Sequence, residues 1–585
     1  MSPSQIIVLA TPVFLFLIAV ELAYAHVRDR RNSERPTYRL GDTLTSISLG
    51  MLSQISAVFT RLFRVGLYTA VYTSLSLVPP DTARTFWFSP LGWLLALVFY
   101  DFCYYWLHRL GHEVAVLWAA HVVHHHSQDY NLSTALRQTS SGALLGWIFY
   151  LPMAVAGVPP LVFGVVALID LLYQYWVHTE HIGKLGWFDR WFCSPSNHRV
   201  HHAVNDGYVD KNYGGILILW DRLFGSFTEE DDRKPCVYGT RSPLDSWDPL
   251  WANVEVYWAL AQDSWRARHW GDKLRVWLKP PGWRPADVAA RYPKPAFDIR
   301  QLTVFEPVLS RAVQWFAGGQ FLLLLAGVSA FLWHADSAPL SLSAVWFAVL
   351  TAGLWALSGV LQGRLTVLEV LMIETAALAT AAAALGLVDL HRVFKPLPLL
   401  MALFLVARSD AYKQAGNRFD LVFLLALAAS LAGDCFLMFP GYFIPGLVSF
   451  LTAHLLYIAR FKQGVAWFPQ RLVLVATLGY GAAMFAYLAP GLPAGLRLPV
   501  AAYVLVIALM AAQAVGRASV VRDAGGWMVA VGALLFMASD TLLAINRFVA
   551  PFQIGGIDSP FWVLSTYYAA QLLIVRGCVH RPHRR

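Results

Sequence analysis

HRLGHEVAVLWAAHVVHH, residues 108–125, carries five of the chain's eighteen histidines, and their spacing decides how this stretch folds. His108 and His112 stand four residues apart, and His121, His124 and His125 follow at offsets of three and four. Such offsets put side chains on one face of an α-helix, a turn apart. A third group, His198, His201 and His202, repeats them, so that eleven histidines lie between His108 and His202. Neutral imidazole is the commonest protein metal ligand. A lone histidine is ordinarily a surface or hydrogen-bonded residue, but eight at these offsets read as helices converging on an all-nitrogen cage able to hold two metal ions.

Around this stretch the chain is a membrane protein. Of its 585 residues 57% are hydrophobic and 14% charged, whereas a soluble protein is about 45–50% apolar and about a quarter charged. Runs of about 20 apolar residues fit membrane-crossing helices. The expected spans of the first half are 4–25, 43–78 (one long helix or a bent pair), 86–106, and a hairpin over 143–177 turned at Val158-Pro159-Pro160. The first run is a span and not a cleavable signal, because Glu21-Leu22-Ala23-Tyr24-Ala25 is a poor cleavage site. Residues 178–310 are polar and rich in Trp, Arg and Pro. A second block follows at 313–333, 342–360, 366–388, 394–408, 419–438, 443–460, 471–489, 497–515, 526–545 and 560–576. Five scattered cysteines without a C-x-x-C pair indicate neither a disulfide framework nor a sulfur metal site.

The loops assign sides. Arg408, Lys413 and Arg418 mark one loop, Arg460, Lys462 and Arg471 another, Arg517 and Arg522 a third, and Arg576, Arg581, Arg584 and Arg585 the tail. The opposite loops, at Pro490 to Ala494 and Gly555 to Asp558, carry almost no cations. The positive-inside rule then puts the first set, the C-terminus and the basic 266–300 segment with the histidine site in the cytoplasm. The net charge of +9 reports these loops and not nucleic-acid binding, and no GxGxxG or nucleotide loop occurs. The expected location is the bacterial inner membrane.

The collinear motifs resemble the fatty acid hydroxylase and sterol desaturase superfamily, and within it the alkylglycerol monooxygenase branch. The stretches that carry the resemblance are Asp129 to Gln138, Leu172 to Glu180, Pro195 to His202, Asp210 to Gly215 and Trp220-Asp221-Arg222, spread over residues 5–300. It implies a diiron monooxygenase that uses O2 as co-substrate and tetrahydrobiopterin or another reduced pterin as electron donor. It carries over His108, His112, His121, His124, His125, His198, His201 and His202 as metal ligands, His178 as a ninth, and Glu113 as a residue at the metal site. The sequence departs from the branch at His126, Gln128 and His181; both histidines are read as bystanders, and Gln128 removes a carboxylate from beside the ligands. Nitrogen ligands also suit zinc, so iron rests on the resemblance. Glu21 has two readings, a pocket-lining residue or a span-end carboxylate.

Residues 366–580 resemble the YhhN-like lysoplasmalogenases through Lys395-Pro396-Leu397-Pro398, Leu431 to Asp434, Ala453 to Tyr457, Gly532 to Phe536 with Ser539-Asp540, Asn546-Arg547-Phe548 and Tyr567 to Gln571. Asp434 and Asp540 lie inside apolar helices, where a carboxylate costs several kcal/mol unless paired. Their structural reading is a polar lock with Lys395 or His454. Their functional reading is a catalytic pair. Vinyl-ether hydrolysis needs one carboxylic acid and one carboxylate, in the manner of a glycosidase, which makes Asp434, Asp540, His454 and Lys395 the candidate catalytic set.

The expected architecture is therefore all-α and polytopic: a histidine-rich diiron helical domain at the cytoplasmic face (1–310), linking spans (311–365) and an eight-span helical membrane domain (366–580). The expected function is ether-lipid degradation, with alkylglycerols oxidised by the first half and lysoplasmalogens hydrolysed by the second, each releasing fatty aldehyde. The alternatives are a sterol or fatty-acyl hydroxylase or desaturase fused to a lipid-binding domain, and a metal transporter, which would place its ligands at the midplane of broken helices. With no flavin or haem motif, electrons come from the diffusible pterin or from a reductase or pterin-recycling partner. The oligomeric state is open.

Overall fold

A computed structural model describes residues 3–32, 35–409 and 418–579. Lys413, Arg581, Arg584 and Arg585, used above to assign sides, and His580 and His583 lie outside these residues. Among the described residues the chain is helical apart from one two-stranded hairpin, Gln553–Ile554 with Ile557–Asp558. Eleven helices among the described residues are long and apolar enough to cross a membrane, and the chain is an integral multi-pass membrane protein. It divides into two compact units, Met1–Ser337 with Leu361–Gly363 and Ala338–Val360 with Arg364–Arg585.

The first unit is built on α1 (Pro3–Asn32), α2 (Leu40–Leu75), α3 (Pro90–Glu113), α4 (Ala115–His125), α5 (Pro160–Trp176), α6 (Pro195–His202) and α7 (Arg311–His334). The 43–78 stretch is one helix that ends at Leu75, and α7 packs on α1 and α2. The 143–177 hairpin consists of helices over Gly142–Val155 and Pro160–Trp176, each shorter than the roughly 20 residues a crossing helix needs. Its core residues Tyr150, Met153, Val162 and Val166 bury themselves against Tyr68 of α2 and Tyr100 of α3. The α3 helix starts on Ser89, whose hydroxyl accepts the Gly92 N–H, with Pro90 at its first position, where no N–H is needed. It does not stop near Trp106, as hydropathy suggests, but continues to Glu113. Twenty-four residues make about 36 Å, longer than the hydrocarbon layer, so the last turns can be polar and still helical.

In the second unit the helices are α8 (Leu340–Leu361), α9 (Val367–Ala384), α10 (Leu397–Arg408), α11 (Arg418–Leu437), α12 (Phe443–Phe461), α13 (Arg471–Leu488), α14 (Ala494–Val521), α15 (Ala524–Phe548) and α16 (Ser559–Val579). One apolar core runs through it, from Leu399 and Phe423 to Tyr457, Met510, Phe536 and Ile574. The closest pair is α15 with α16. A Cβ on Gly532 would sit 2.9 Å from the Ala570 carbonyl, and one on Gly577 2.4 Å from the Gly525 carbonyl. Small residues therefore let two backbones touch, the usual device where lipid removes the hydrophobic drive for helix association.

Candidate functional site

Nine histidines gather in two groups. His108, His112, His121, His125 and His201 form one, and His124, His178, His198 and His202 the other; within each group the ligating nitrogens all lie within 4.8 Å of one another. The helical period explains the sorting. The i, i+4 pairs of α3 (His108/His112) and α4 (His121/His125) serve the first group, and that of α6 (His198/His202) the second. The odd members, His124 and His201, cross to the other group. His178 enters from just beyond α5.

Which nitrogen faces inward is set from behind. The Nδ1 of His108 lies 2.8 Å from the Tyr213 carbonyl, that of His178 2.8 Å from the Gln174 carbonyl, and those of His124 and His201 3.0 Å from the Arg137 and Lys211 carbonyls. A carbonyl only accepts, so each Nδ1 carries the proton and each Nε2 is a bare lone pair, the arrangement that orients metal-binding histidines. Inside, His178 Nε2 stands 3.0 Å from His124 Nε2, His198 Nε2 3.2 Å from His178 Nε2, and His121 Nε2 3.1 Å from both His108 and His125. The buried Nε2 atoms of His112, His201 and His202 have no hydrogen-bond partner. Burial, with neighbouring imidazoles adding to it, holds His121, His125, His178, His198, His201 and His202 well below the ordinary imidazole range; burial and then the nearby Arg137 charge take His124 down to about 4. Neutral lone pairs aimed at each other at 3 Å repel, and a cation between them reverses the sign. The donor set fits metal ions.

The loop that supplies two of those carbonyls is itself pinned. Asp210 and Asn212 take left-handed backbone (φ 57° each). The Asn212 amide donates to the Asn197 and Thr228 carbonyls and its oxygen accepts from Thr228 N–H. Asp221 accepts the Tyr213 and Gly214 N–H groups, and Asp101 of α3 accepts those of Ile216 and Leu217 together with the Trp220 indole. A Cβ on Gly215 would meet Asp170 Oδ1 at 2.8 Å and Asp101 Oδ1 at 2.9 Å, so only glycine fits. Sequence reasoning quoted this stretch without a role and passed over Asp101 altogether; the signal available was a carboxylate inside an apolar helix.

In the second unit the polar residues form two chains. Asp434 is buried, 3.8 Å from Lys395 Nζ, and accepts the Tyr567 hydroxyl at 2.6 Å. Gln571 takes the Tyr457 hydroxyl and donates to the Tyr567 oxygen. Asp540 accepts the Tyr503 hydroxyl at 2.5 Å, and His454 Nε2 lies 2.9 Å from that same oxygen. Asp540 and Tyr503 line an apolar cavity whose wall also includes Phe450, Met484 and Ile507. Asp434 is not part of that wall. Tyr503, the link between His454 and Asp540, escaped the sequence reading.

The fatty acid hydroxylase family matches residues 93–226, and the YhhN family matches residues 390–578. An alkylglycerol monooxygenase of Homo sapiens is 40% identical over 276 residues, covering 47% of this chain and 59% of its own, and that of Danio rerio is 38% identical over 328 residues, covering 54% and 68%. A lysoplasmalogenase of Bos taurus, TMEM86A, is 31% identical over 193 residues, 32% of this chain and 77% of its own. The chain belongs to the alkylglycerol monooxygenase family in its first half and the lysoplasmalogenase family in its second. It spans 59% of the human and 68% of the zebrafish alkylglycerol monooxygenase. No solved structure matches it.

The three departures noted in the sequence find plain structural places. His126 is buried outside both groups. His181 also stands outside them, bonding Arg28 and Thr37. Gln128 bridges the Thr303 carbonyl and the Phe305 N–H, tying down the chain before α7. Glu113 is not in either group: its carboxylate is 41% exposed and pairs with Arg109 at 2.9 Å, one turn back on α3. Glu21 is buried and accepts from the Tyr38 and Thr179 hydroxyls and from the Leu132 N–H at 2.8 Å. It is a clamp between α1 and the segment that follows α4.

Proposed function

We propose that this protein degrades ether lipids by two routes, oxidation of saturated alkylglycerols in residues 1–310 and hydrolysis of the vinyl ether of lysoplasmalogens in residues 366–580, with 311–365 as linking spans. The first route is supported by one observation: nine imidazoles in two groups, the ligating nitrogens of each within 4.8 Å of one another. His108, His112, His121, His125 and His201 would hold one iron ion, and His124, His178, His198 and His202 the other. Iron there supplies the oxidation, by O2 with tetrahydrobiopterin or another reduced pterin as donor, of the carbon next to the ether oxygen. A saturated ether has no acidic proton and a poor leaving group, so acid–base chemistry alone cannot cleave it. Once that carbon bears a hydroxyl it is a hemiacetal, which collapses to fatty aldehyde and a glycerol derivative. The chain's own part is positional. The carbonyls of Arg137, Gln174, Lys211 and Tyr213 hold the proton on the Nδ1 atoms of His124, His178, His201 and His108, and burial keeps water away. The positive-inside rule supports a cytoplasmic histidine site in a bacterial inner membrane. Glu113, paired with Arg109, is proposed to act at the rim of this site and not as a ligand.

For the second route, Asp540 is the group that meets the substrate. Its Oδ2 is held by Tyr503, leaving Oδ1 to give a proton to the β-carbon of the vinyl ether. Water adds to the resulting oxocarbenium carbon, its proton returns to the Asp540 carboxylate, and the hemiacetal breaks into aldehyde and the free hydroxyl of the glycerophosphodiester. His454 fixes Tyr503 from behind. Asp434, held beside Lys395, supplies the second carboxylate, whose negative charge favours the cation.

The test is aldehyde release by the purified protein from 1-O-alkylglycerol and from lysoplasmalogen, with and without reduced pterin. The saturated substrate should require pterin and O2, and the unsaturated one neither. Asp434→Asn and Asp540→Asn should each abolish only the second activity. Pterin-independent turnover of the alkylglycerol, or full vinyl-ether activity in either variant, would contradict the assignment.

A further inference from the structure

The Asn546-Arg547-Phe548 stretch has no part in the chemistry above, yet Arg547 lines the same cavity as Asp540. It lies in the last turn of α15, seven residues after Asp540. Seven residues are close to two full helical turns, so the two side chains share a face about 10 Å apart along the axis. The guanidinium stacks over the Phe443 ring, 4.0 Å from its centroid, with Phe548 at 5.8 Å. No carboxylate among the described residues pairs with it. The cavity wall is mostly aromatic and aliphatic, with Asp540, Thr541 and the tyrosines Tyr480 and Tyr503 as its other polar members. Arg547 is exposed, so a guanidinium steadied by the rings remains open to an anion that reaches the cavity mouth.

Resting on the proposed hydrolysis, we infer that Arg547 binds the phosphate of the substrate, so that the cavity selects 1-alkenyl glycerophospholipids over phosphate-free 1-alkenylglycerols. The distances agree. From the β-carbon that takes the proton to the phosphorus of such a lipid there are seven bonds, C=C–O–C–C–C–O–P. An extended chain advances about 1.2 Å per bond, as the peptide backbone does, giving about 8 Å. Asp540 below and a flexible arginine above, about 10 Å apart, bracket that length with room for a hydrogen bond at each end. Guanidinium matches a phosphate with two parallel N–H donors, which an ammonium cannot do. The position at the end of a membrane helix is also where a headgroup resides while the vinyl ether lies a few ångströms deeper.

The experiment compares the full-length protein with Arg547→Gln and Arg547→Lys in neutral detergent micelles, which supply no lipid phosphate. The substrates are 1-alkenyl-glycerophosphoethanolamine and 1-alkenylglycerol. Loss of a charge-assisted contact made equally in ground and transition states raises KM and spares kcat. Arg547→Gln should raise KM for the phospholipid by about tenfold or more, with kcat and the phosphate-free substrate unchanged, and Arg547→Lys should fall between. Binding of 1-O-alkyl-glycerophosphoethanolamine, unreactive without pterin, gives a readout independent of turnover; 1-O-alkylglycerol in excess occupies the histidine site, and the binding that remains should weaken in Arg547→Gln by the same factor. Equal losses on both substrates, or unaltered binding of the analogue, would overturn the phosphate assignment. Wild-type protein that turns over neither vinyl ether would instead refute the hydrolytic reading, and the analogue's binding would still decide the role of Arg547.

Discussion

At the level of single residues, the sign of one interaction separates the ligands from the bystanders. His178 and His124 present unprotonated Nε2 atoms to each other at 3.0 Å, a repulsive contact unless a cation intervenes. His181 instead bonds Arg28 and Thr37, and His126 lies outside both groups. Elemental analysis should therefore find metal content lowered in His121→Ala and His198→Ala and unchanged in His126→Ala and His181→Ala. Tyr503 calls for a different measurement. Its hydroxyl bonds Asp540 at 2.5 Å and lies 2.9 Å from His454, and a hydrogen bond to a charged group contributes about 1.5–3 kcal/mol. Tyr503→Phe should lower kcat for vinyl-ether hydrolysis by about 10- to 100-fold with little change in KM; an unaltered kcat would show that Asp540 needs no such support. The histidines were legible because their offsets repeat the helical period. Tyr503 was not, because a tyrosine in an apolar helix is unremarkable until its neighbours are known.

Elements show where pattern reading succeeds and where it stops. The spans were readable from apolar runs, yet the end of α3 was not. Hydropathy falls after Trp106, while the helix goes on to Glu113, because its last turns are satisfied by histidine packing and not by lipid. The i, i+4 spacing of His108 and His112 already required those turns. The loop from Asp210 to Leu217 was recognisable as a motif but mute as to purpose, since its work is done by backbone carbonyls that no side-chain pattern reports. Its fit to α3 is tight. Gly215→Ala would push a methyl against the Asp101 and Asp170 carboxylates, now 2.9 and 2.8 Å from where it must sit. Overpacking of this kind costs about 1–3 kcal/mol, and here it also shifts the Tyr213 carbonyl behind His108. Thermal unfolding in detergent should show a lower midpoint for Gly215→Ala together with reduced metal content. A wild-type midpoint would mean that the loop relaxes freely.

For the whole molecule, two compact units with unlike chemistry imply separable activities. A strong chelator should abolish aldehyde release from alkylglycerol and leave release from lysoplasmalogen intact, because one site is built of clustered imidazoles and the other of carboxylates, tyrosines, a lysine and a single histidine. Parallel loss of both would show that the metal also holds the second unit together. The apolar wall of the Asp540 cavity has a further bearing on the cell. A long-chain aldehyde released beside Phe450, Met484 and Ile507 gains nothing by entering water and stays dissolved in the bilayer as an electrophile within reach of aminophospholipids. Whatever detoxifies it must encounter it by sideways travel in the plane of the membrane, so the next catalyst in line is one that is itself anchored there.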